Sequence, residues 1–334
     1  MKAVVFKGKD IPLGVMDFPK PKPTKDQVVV KLKTAAINHR DLWATLEQAT
    51  VLHANGVVLG SDGCGVVEEV GSDVDPQWIG AEVILLPSLD WGANPLVQGD
   101  AFRILGNPDN GTFAEYIAIS KKNIFEKPEQ LSDEEAAAVP LAALTAYRAL
   151  FSKARLRANE KVLITGIGGG AALWALQLAV AYQAKVSVTS GSEEKLAKAQ
   201  ALGAIKTYSY KDAGWVDQAK KDTNGFDVII DSAGGADFDK LIELAAPGGR
   251  IVNFGRTSGS TVSFDARKLF YKQLTVFGTT MGTHDEFLSL LEFIESRKVK
   301  PVIDRVYPLE DIQQAFARMQ EGSQFGKIVV RIGK

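Results

Sequence analysis

With 334 residues, 46% apolar and 24% charged, the chain has an ordinary globular composition and enough length for two hydrophobic cores. Its 39 basic and 40 acidic residues nearly cancel, so no global field recruits nucleic acid or an anionic membrane. No run of about 20 apolar residues could span a bilayer, the start MKAVVFKGKD lacks a signal core, and the single cysteine, Cys64, has no internal disulfide partner; a cytoplasmic protein is expected.

Short β-rich runs come first: KAVVF at 2–6, QVVVKLKTAAI at 27–37, GCGVVEEVG at 63–71, AEVILLP at 81–87 and FAEYIAI at 113–119. Pro, Gly, Asn and Asp separate them, so the segment up to about Ile124 reads as an antiparallel, barrel-like domain. From about Leu131 the texture changes. Residues 132–154 are helical on either side of Pro140, and apolar strands at 161–166, 185–190, 206–210, 226–234, 250–255 and 274–280 then alternate with helical stretches. That alternation predicts a doubly wound parallel sheet with helices on both faces. Beyond Met281 a helix over 285–298 precedes a strand–helix–strand tail at 301–333. Such a tail is too short to bury a core alone and is expected to close the first domain.

The strongest local motif is Gly166-Ile167-Gly168-Gly169-Gly170-Ala171, which follows the strand KVLIT and opens a long apolar helix. Gly166 permits the tight turn, Gly168 lets the backbone approach a pyrophosphate, and Ala171 is small enough for close helix–strand packing. Exposed N–H groups and the helix dipole would hold the phosphates. At the end of the second strand of this domain an NAD site places an Asp or Glu; here Ser190 stands 24 positions after Gly166, followed by Gly191 and Ser192. Hydroxyls with the nearby Lys195 suit a 2′-phosphate, which a carboxylate would repel, so NADPH is expected over NADH. Ser190 and Glu193 also have the spacing of a helix capping box.

Several motifs follow one another along nearly the whole chain: Ala36-Ile37-Asn38-His39-Arg40-Asp41, Gly60-Ser61-Asp62-Gly63-Cys64-Gly65, Gly111-Thr112-Phe113-Ala114-Glu115-Tyr116, Leu144-Thr145-Ala146-Tyr147, the glycine turn, and Gly326-Lys327-Ile328-Val329-Val330. In this order they resemble the medium-chain dehydrogenase/reductase superfamily, specifically its zinc-lacking, quinone-oxidoreductase-like branch. The resemblance implies an α/β protein: a Rossmann-type doubly wound parallel sheet over residues 122–280 and a GroES-like β-barrel catalytic domain from 1–121 and 281–334. The active site would lie in the cleft between them. It implies hydride transfer to a small-molecule substrate, a quinone or other activated carbonyl.

In zinc alcohol dehydrogenases a Cys precedes the position of Asp41 by three residues, a His lies in a Gly-His-Glu motif, and a third ligand falls near Leu141. Here the corresponding residues are Asn38, Ser61 and Leu141, and residues 88–110, matching the structural-zinc lobe, contain no cysteine. No metal site is expected. By family position Asn38 would face the nicotinamide and substrate, and Thr145 the nicotinamide amide. Tyr210 would stack near the adenosine, Phe254, Gly255 and Thr279 would border the cofactor, and Lys327 would reach the phosphates.

No proton donor is identified. Trp43 stands five residues after Asn38, where many relatives carry a tyrosine. Indole does not donate a proton near neutral pH but stacks on flat substrates, which favours quinones protonated by water. Two other readings stay open: an enone or enoyl reductase using water or His39, and an NADPH-binding sensor with little turnover. His39, His53 and His284 are too scattered for a ligand cluster. LTVFGTT, the last strand of the parallel sheet, is an uncharged edge, and pairing with a second copy predicts a homodimer, as the resemblance also implies.

Overall fold

The computed structural model describes residues 1–46 and 53–333. They divide into two compact units, Met1–Ala142 with Gly282–Lys334, and Ala143–Met281.

In the first unit β1 (Lys2–Phe6) pairs antiparallel with β2 (Gly14–Asp17). The long strand β3 (Gln27–Ala36) is followed by helix α1 (His39–Leu46). Val28, Val30 and Leu32, every second residue of β3, enter one core. Next come β4 (Val57–Val58), paired with β1, then β5 (Asp62–Val70) and β6 (Glu82–Leu85). β7 (Ser88–Leu89) and β8 (Arg103–Ile104) make a short ribbon, before β9 (Tyr116–Ser120) and β10 (Ile124–Glu126). β3 pairs antiparallel with β5 and with β9. Val67, Leu85, Phe113 and Ile117 join the same core, each buried side chain contributing ~1.5–3 kcal/mol of transfer free energy.

The division between the units falls later than the 121/122 boundary expected from the sequence, at Ala142/Ala143. Segment 122–142 stays with the β-domain because β10 pairs with β6 and helix α2 (Asp133–Ala137) is anchored there. Lys33 and Lys127 both reach Asp133, and Ala138 packs with Ala36 and Val329. Ser132 and Glu135 close a full capping box on α2. Pro140 then opens α3 (Pro140–Tyr147), a first-turn position where its missing N–H costs nothing.

The second unit is a six-stranded parallel sheet. Its strands and helices are β11 (Lys161–Ile164), α4 (Gly170–Ala181), β12 (Lys185–Ser190), α5 (Glu193–Ala201), β13 (Lys206–Ser209) and α6 (Trp215–Thr223). β14 (Phe226–Asp231), α7 (Phe238–Leu244), β15 (Ala245–Asn253), α8 (Ala266–Tyr271) and β16 (Thr275–Gly278) complete it. The strand order β13-β12-β11-β14-β15-β16 reverses direction between β11 and β14, where an open α/β sheet binds ligands. Helix α4 buries Leu173, Trp174, Leu176 and Leu178 together, which is why its sequence is apolar without a polar stripe.

From Gly282 the chain is back in the first unit, as α9 (His284–Arg297), β17 (Ile303–Pro308), α10 (Ile312–Gln320) and β18 (Lys327–Arg331). β18 pairs antiparallel with β3, Val329 opposite Ala36 and Val330 opposite Ala35, and parallel with β17. Among the described residues no helix is long and apolar enough to cross a membrane.

Candidate functional site: a dinucleotide turn and a buried charge cluster

The glycine turn joins β11 to α4. Gly166 (φ 64°) and Gly168 (φ 130°) take backbone conformations that side chains resist, and Gly169 in extended conformation is the N-cap of α4. A Cβ on Gly169 would meet nothing within 4 Å, so packing does not require glycine there; an open approach to the backbone does. The Gly166 N–H donates to Thr189 Oγ1 (3.3 Å) and the Ile167 N–H to Thr189 O (2.9 Å), so both are spent inside the sheet, and the Ile167 side chain is buried. The amides of Gly168, Gly169 and Gly170 are the ones at this turn that could hold an anion.

Beside the turn, the ends of β12 and β13 gather the second set of residues. Ser190 is buried, its Oγ accepting from Ser192 N (3.2 Å). Ser192, not Ser190, caps α5, accepting from Lys195 N at 3.4 Å, so the anticipated Ser190–Glu193 box does not form. The Lys195 side chain lies over the turn: a Cβ on Gly168 would sit 2.9 Å from its Cδ and 3.2 Å from its Nζ. Tyr210 is half exposed and its ring covers Gly191, where a Cβ would come within 2.7 Å of the phenol oxygen. Gly168, Ser190, Ser192, Lys195 and Tyr210 are thus brought together.

A buried network missed from sequence shapes the other side of the switch point. Asp231, at the end of β14, accepts from Thr165 Oγ1 (2.6 Å), Ala233 N (3.1 Å), Gly234 N (3.0 Å) and Asn253 Nδ2 (2.8 Å). It ties together the ends of β11, β14 and β15. The available signal was an acid closing the apolar strand FDVIID, with Ser232 and Ala233 between it and the glycine pair Gly234-Gly235. Phe254 N bonds Asp231 O, and Gly255 passes so close to the Ser232 carbonyl that a Cβ would lie 2.1 Å from it. Thr279 follows β16, and its buried Oγ1 has no hydrogen-bond partner among the described residues. Thr145 is buried in α3.

In the first unit Asn38, between β3 and α1, joins a buried charge cluster. Its Oδ1 accepts from Lys327 Nζ (2.6 Å) and its Nδ2 donates to Asp62 Oδ2 (3.0 Å). Lys327 Nζ also donates to Asp62 Oδ2 (2.9 Å) and to Ile37 O (3.0 Å). The three N–H donors of Lys327, expected from the sequence at the phosphates, are met here by oxygens of its own cluster, and the residue is 3% exposed. Asp62 Oδ1 accepts from Leu141 N at 2.8 Å. Ser61 Oγ bonds Leu105 O and accepts from Arg40 Nη1, each at 2.7 Å.

Nearby, Asp41 is fully buried. One oxygen accepts from Asn38 N (2.8 Å), the other has no hydrogen-bond partner among the described residues and lies 4.0 Å from Arg40 Nη1, and burial pushes the carboxyl up to about 6. His39 is half-buried beside Trp43, ring centroids 6.0 Å apart, and burial, then the Lys327 charge, lowers its imidazole below the usual range. Cys64 is a buried free thiol pushed up to about 12, chiefly by burial, and is unreactive. Among the described residues no three His, Cys, Asp or Glu side chains meet in a metal-sized group.

Two family models match: "Alcohol dehydrogenase GroES-like domain" over residues 24–129 and "Zinc-binding dehydrogenase" over 170–296. The chain is 35% identical to the zinc-type alcohol dehydrogenase-like protein YogA of Leptosphaeria maculans, with 96% of this chain and 95% of that one covered. It is 30% identical to acryloyl-coenzyme A reductase of Sulfurisphaera tokodaii (99% and 100% covered) and 28% identical to human quinone oxidoreductase (97% and 95%). Among solved structures, an NAD-dependent alcohol dehydrogenase superposes with a TM-score of 0.92 at 36% identity, covering 100% of both chains. A 2-octenoyl-CoA carboxylase reductase solved with NADP and 2-octenoyl-CoA gives 0.87 at 26%, covering 96% of this chain and 82% of that one. With both domain models in sequence order and similarity over the whole length, the chain belongs to the medium-chain dehydrogenase/reductase superfamily and is a pyridine-nucleotide-dependent oxidoreductase.

Proposed function

We propose that the protein transfers hydride from NADPH to a quinone or other activated carbonyl, without zinc. The observation that carries the coenzyme assignment is the end of β12, where Ser190 stands in place of a carboxylate with Ser192, Lys195 and Tyr210 around it. A carboxylate would accept from ribose hydroxyls and repel a 2′-phosphate, whereas hydroxyls and an ammonium favour that dianion. Similarity to a reductase solved with NADP supports the reading.

When bound, the dihydronicotinamide supplies the hydride. The amides of Gly168–Gly170 and the dipole of α4 hold the pyrophosphate, and Tyr210 packs on the adenosine. Phe254, Gly255 and the Thr279 hydroxyl would border the cofactor, and Thr145 would serve its nicotinamide end. The acceptor gains one hydride and one proton, giving a hydroquinone or a saturated carbonyl. Trp43 offers stacking but no acid, and the lowered His39 is a neutral imidazole at pH 7, a poor donor, so the proton comes from water.

Zinc, which the name of the matched model implies, does not fit the residues. Three ligands from His, Cys or carboxylate are needed. Position 38 offers a carboxamide already held by an ammonium, position 61 a hydroxyl held by a guanidinium, and position 141 a leucine. A second reading, enoyl thioester or enone reduction, is favoured by the similarity to acryloyl-coenzyme A reductase. We further propose a cytoplasmic homodimer joined through the edge strand β16.

The test is NADPH oxidation with a quinone panel, an enone and enoyl-thioester panel, and no acceptor, repeated with NADH. Steady turnover with quinones by protein lacking stoichiometric zinc on elemental analysis is expected. Turnover confined to enoyl thioesters moves the assignment to the second reading, and tight NADPH binding with no turnover makes the protein a sensor.

A further inference from the structure

Asn38 occupies the N-cap position of α1, where an asparagine side chain ordinarily accepts from an amide of the first helical turn. Here the Asp41 N–H bonds the Asn38 main-chain oxygen, and the side-chain oxygen accepts from Lys327 instead. The carboxamide is clamped between opposite charges, ammonium on its oxygen and carboxylate on its nitrogen, in a pair whose side chains are 4% and 0% exposed. A buried ion pair gains little net stability after desolvation, so stability alone does not account for it; orienting a third group does. From this geometry we infer that Lys327 and Asp62 are positioning residues: they fix the Asn38 carboxamide with one Nδ2 proton on Asp62 and the other available to the oxygen of the reacting carbonyl. That second proton has only a long contact, 3.5 Å, to Ala36 O. With an ammonium on its oxygen the amide is polarised and its N–H is a stronger donor. Asn38 gives a hydrogen bond and keeps its proton; the hydride and the solvent proton are accounted for as above.

The inference rests on the proposed carbonyl reduction, and its test separates the two. Asn38→Ala, Lys327→Met and the double variant are compared in single-turnover NADPH oxidation with a quinone. Each single change is expected to lower the hydride-transfer rate about 100-fold, the scale of one lost oxyanion donor. In Lys327→Met the NADPH dissociation constant should stay within about twofold, and the double variant should lose no more than either single one. Multiplying losses, or an unchanged rate in Lys327→Met, overturn the positioning role. Should no acceptor be reduced at all, the functional reading fails while the clamp is still read by nitrogen-15 NMR. The Asn38 side-chain protons should be widely separated and slow to exchange in the unmodified protein, and merge in Lys327→Gln. A merged, fast-exchanging pair in the unmodified protein overturns the clamp without needing any variant to fold.

Discussion

In the proposed reading, coenzyme choice turns on Lys195. Its ammonium lies at the phosphate turn while its backbone belongs to the first turn of α5, beside Ser190 and Tyr210. A charge-assisted contact to a 2′-phosphate is worth ~1.5–3 kcal/mol, roughly ten- to a hundredfold in affinity. Lys195→Ala should erase most of the preference for NADPH over NADH, read as two dissociation constants by fluorescence titration; equal constants in the unmodified protein would defeat the assignment. Asp41 makes a second, independent prediction. Its folded carboxyl sits at about 6, above its ordinary value of 3.8, so its contribution to stability is complete below pH 3.8 and is lost as pH rises through 6. Asp41→Asn keeps an acceptor for the Asn38 N–H and removes the titration. It should therefore gain on the unmodified protein as pH rises from 4 to 7, by roughly 2–3 kcal/mol in denaturant melts. Parallel curves for the two proteins would refute this. Residues whose role follows from backbone conformation, such as Gly166 and Gly168, were legible in the sequence. Lys327 was not, because its partners Asp62 and Asn38 are 265 and 289 residues away.

At the scale of elements, alternation and turn chemistry located the strands, whereas boundaries set by long-range pairing were obscure. Segment 122–142 looks like the start of the helical half, yet β10 is claimed by β6 and α2 by Lys33 and Lys127. The Ser190–Glu193 box does not form because Ser190 still belongs to β12 and Ser192, next to the helix, takes the N-cap of α5. Strand β16 was read as an edge, and it is one. Among the described residues it pairs in its sheet with β15 alone, with Val276 opposite Ile251 and 40% exposed. In the same unit Phe270 and Tyr271 of α8 are 67% and 80% exposed, an apolar display that β-propensity could not announce. An uncharged edge with free backbone groups pairs readily with a copy of itself about a two-fold axis. Val276→Lys is expected to convert a dimer to monomer in light scattering while leaving NADPH binding intact. A monomeric unmodified protein at micromolar concentration would sink the dimer.

For the whole molecule, the consequence of chain order is that the β-domain is assembled from both ends of the sequence. β3 is its central strand, and its partners come from residues 62–70, 116–120 and 327–331. Without β18, the edge of β3 at Thr34–Ala36 loses its antiparallel partner, and Ile328 and Val330 vanish from the main core. Helix α10 goes as well, with Ile312, Phe316 and Met319. Those five apolar side chains, at ~1.5–3 kcal/mol each, exceed what a marginally stable domain can lose. A chain ending at Met281 should therefore carry an unfolded N-terminal segment, seen as rapid proteolysis within residues 1–142. Residues 1–120 alone should neither melt cooperatively nor stay soluble. A soluble 1–120 fragment with a single cooperative transition would show that the closing strand and helix are dispensable, and with it that the two ends of the chain need not meet for the domain to fold.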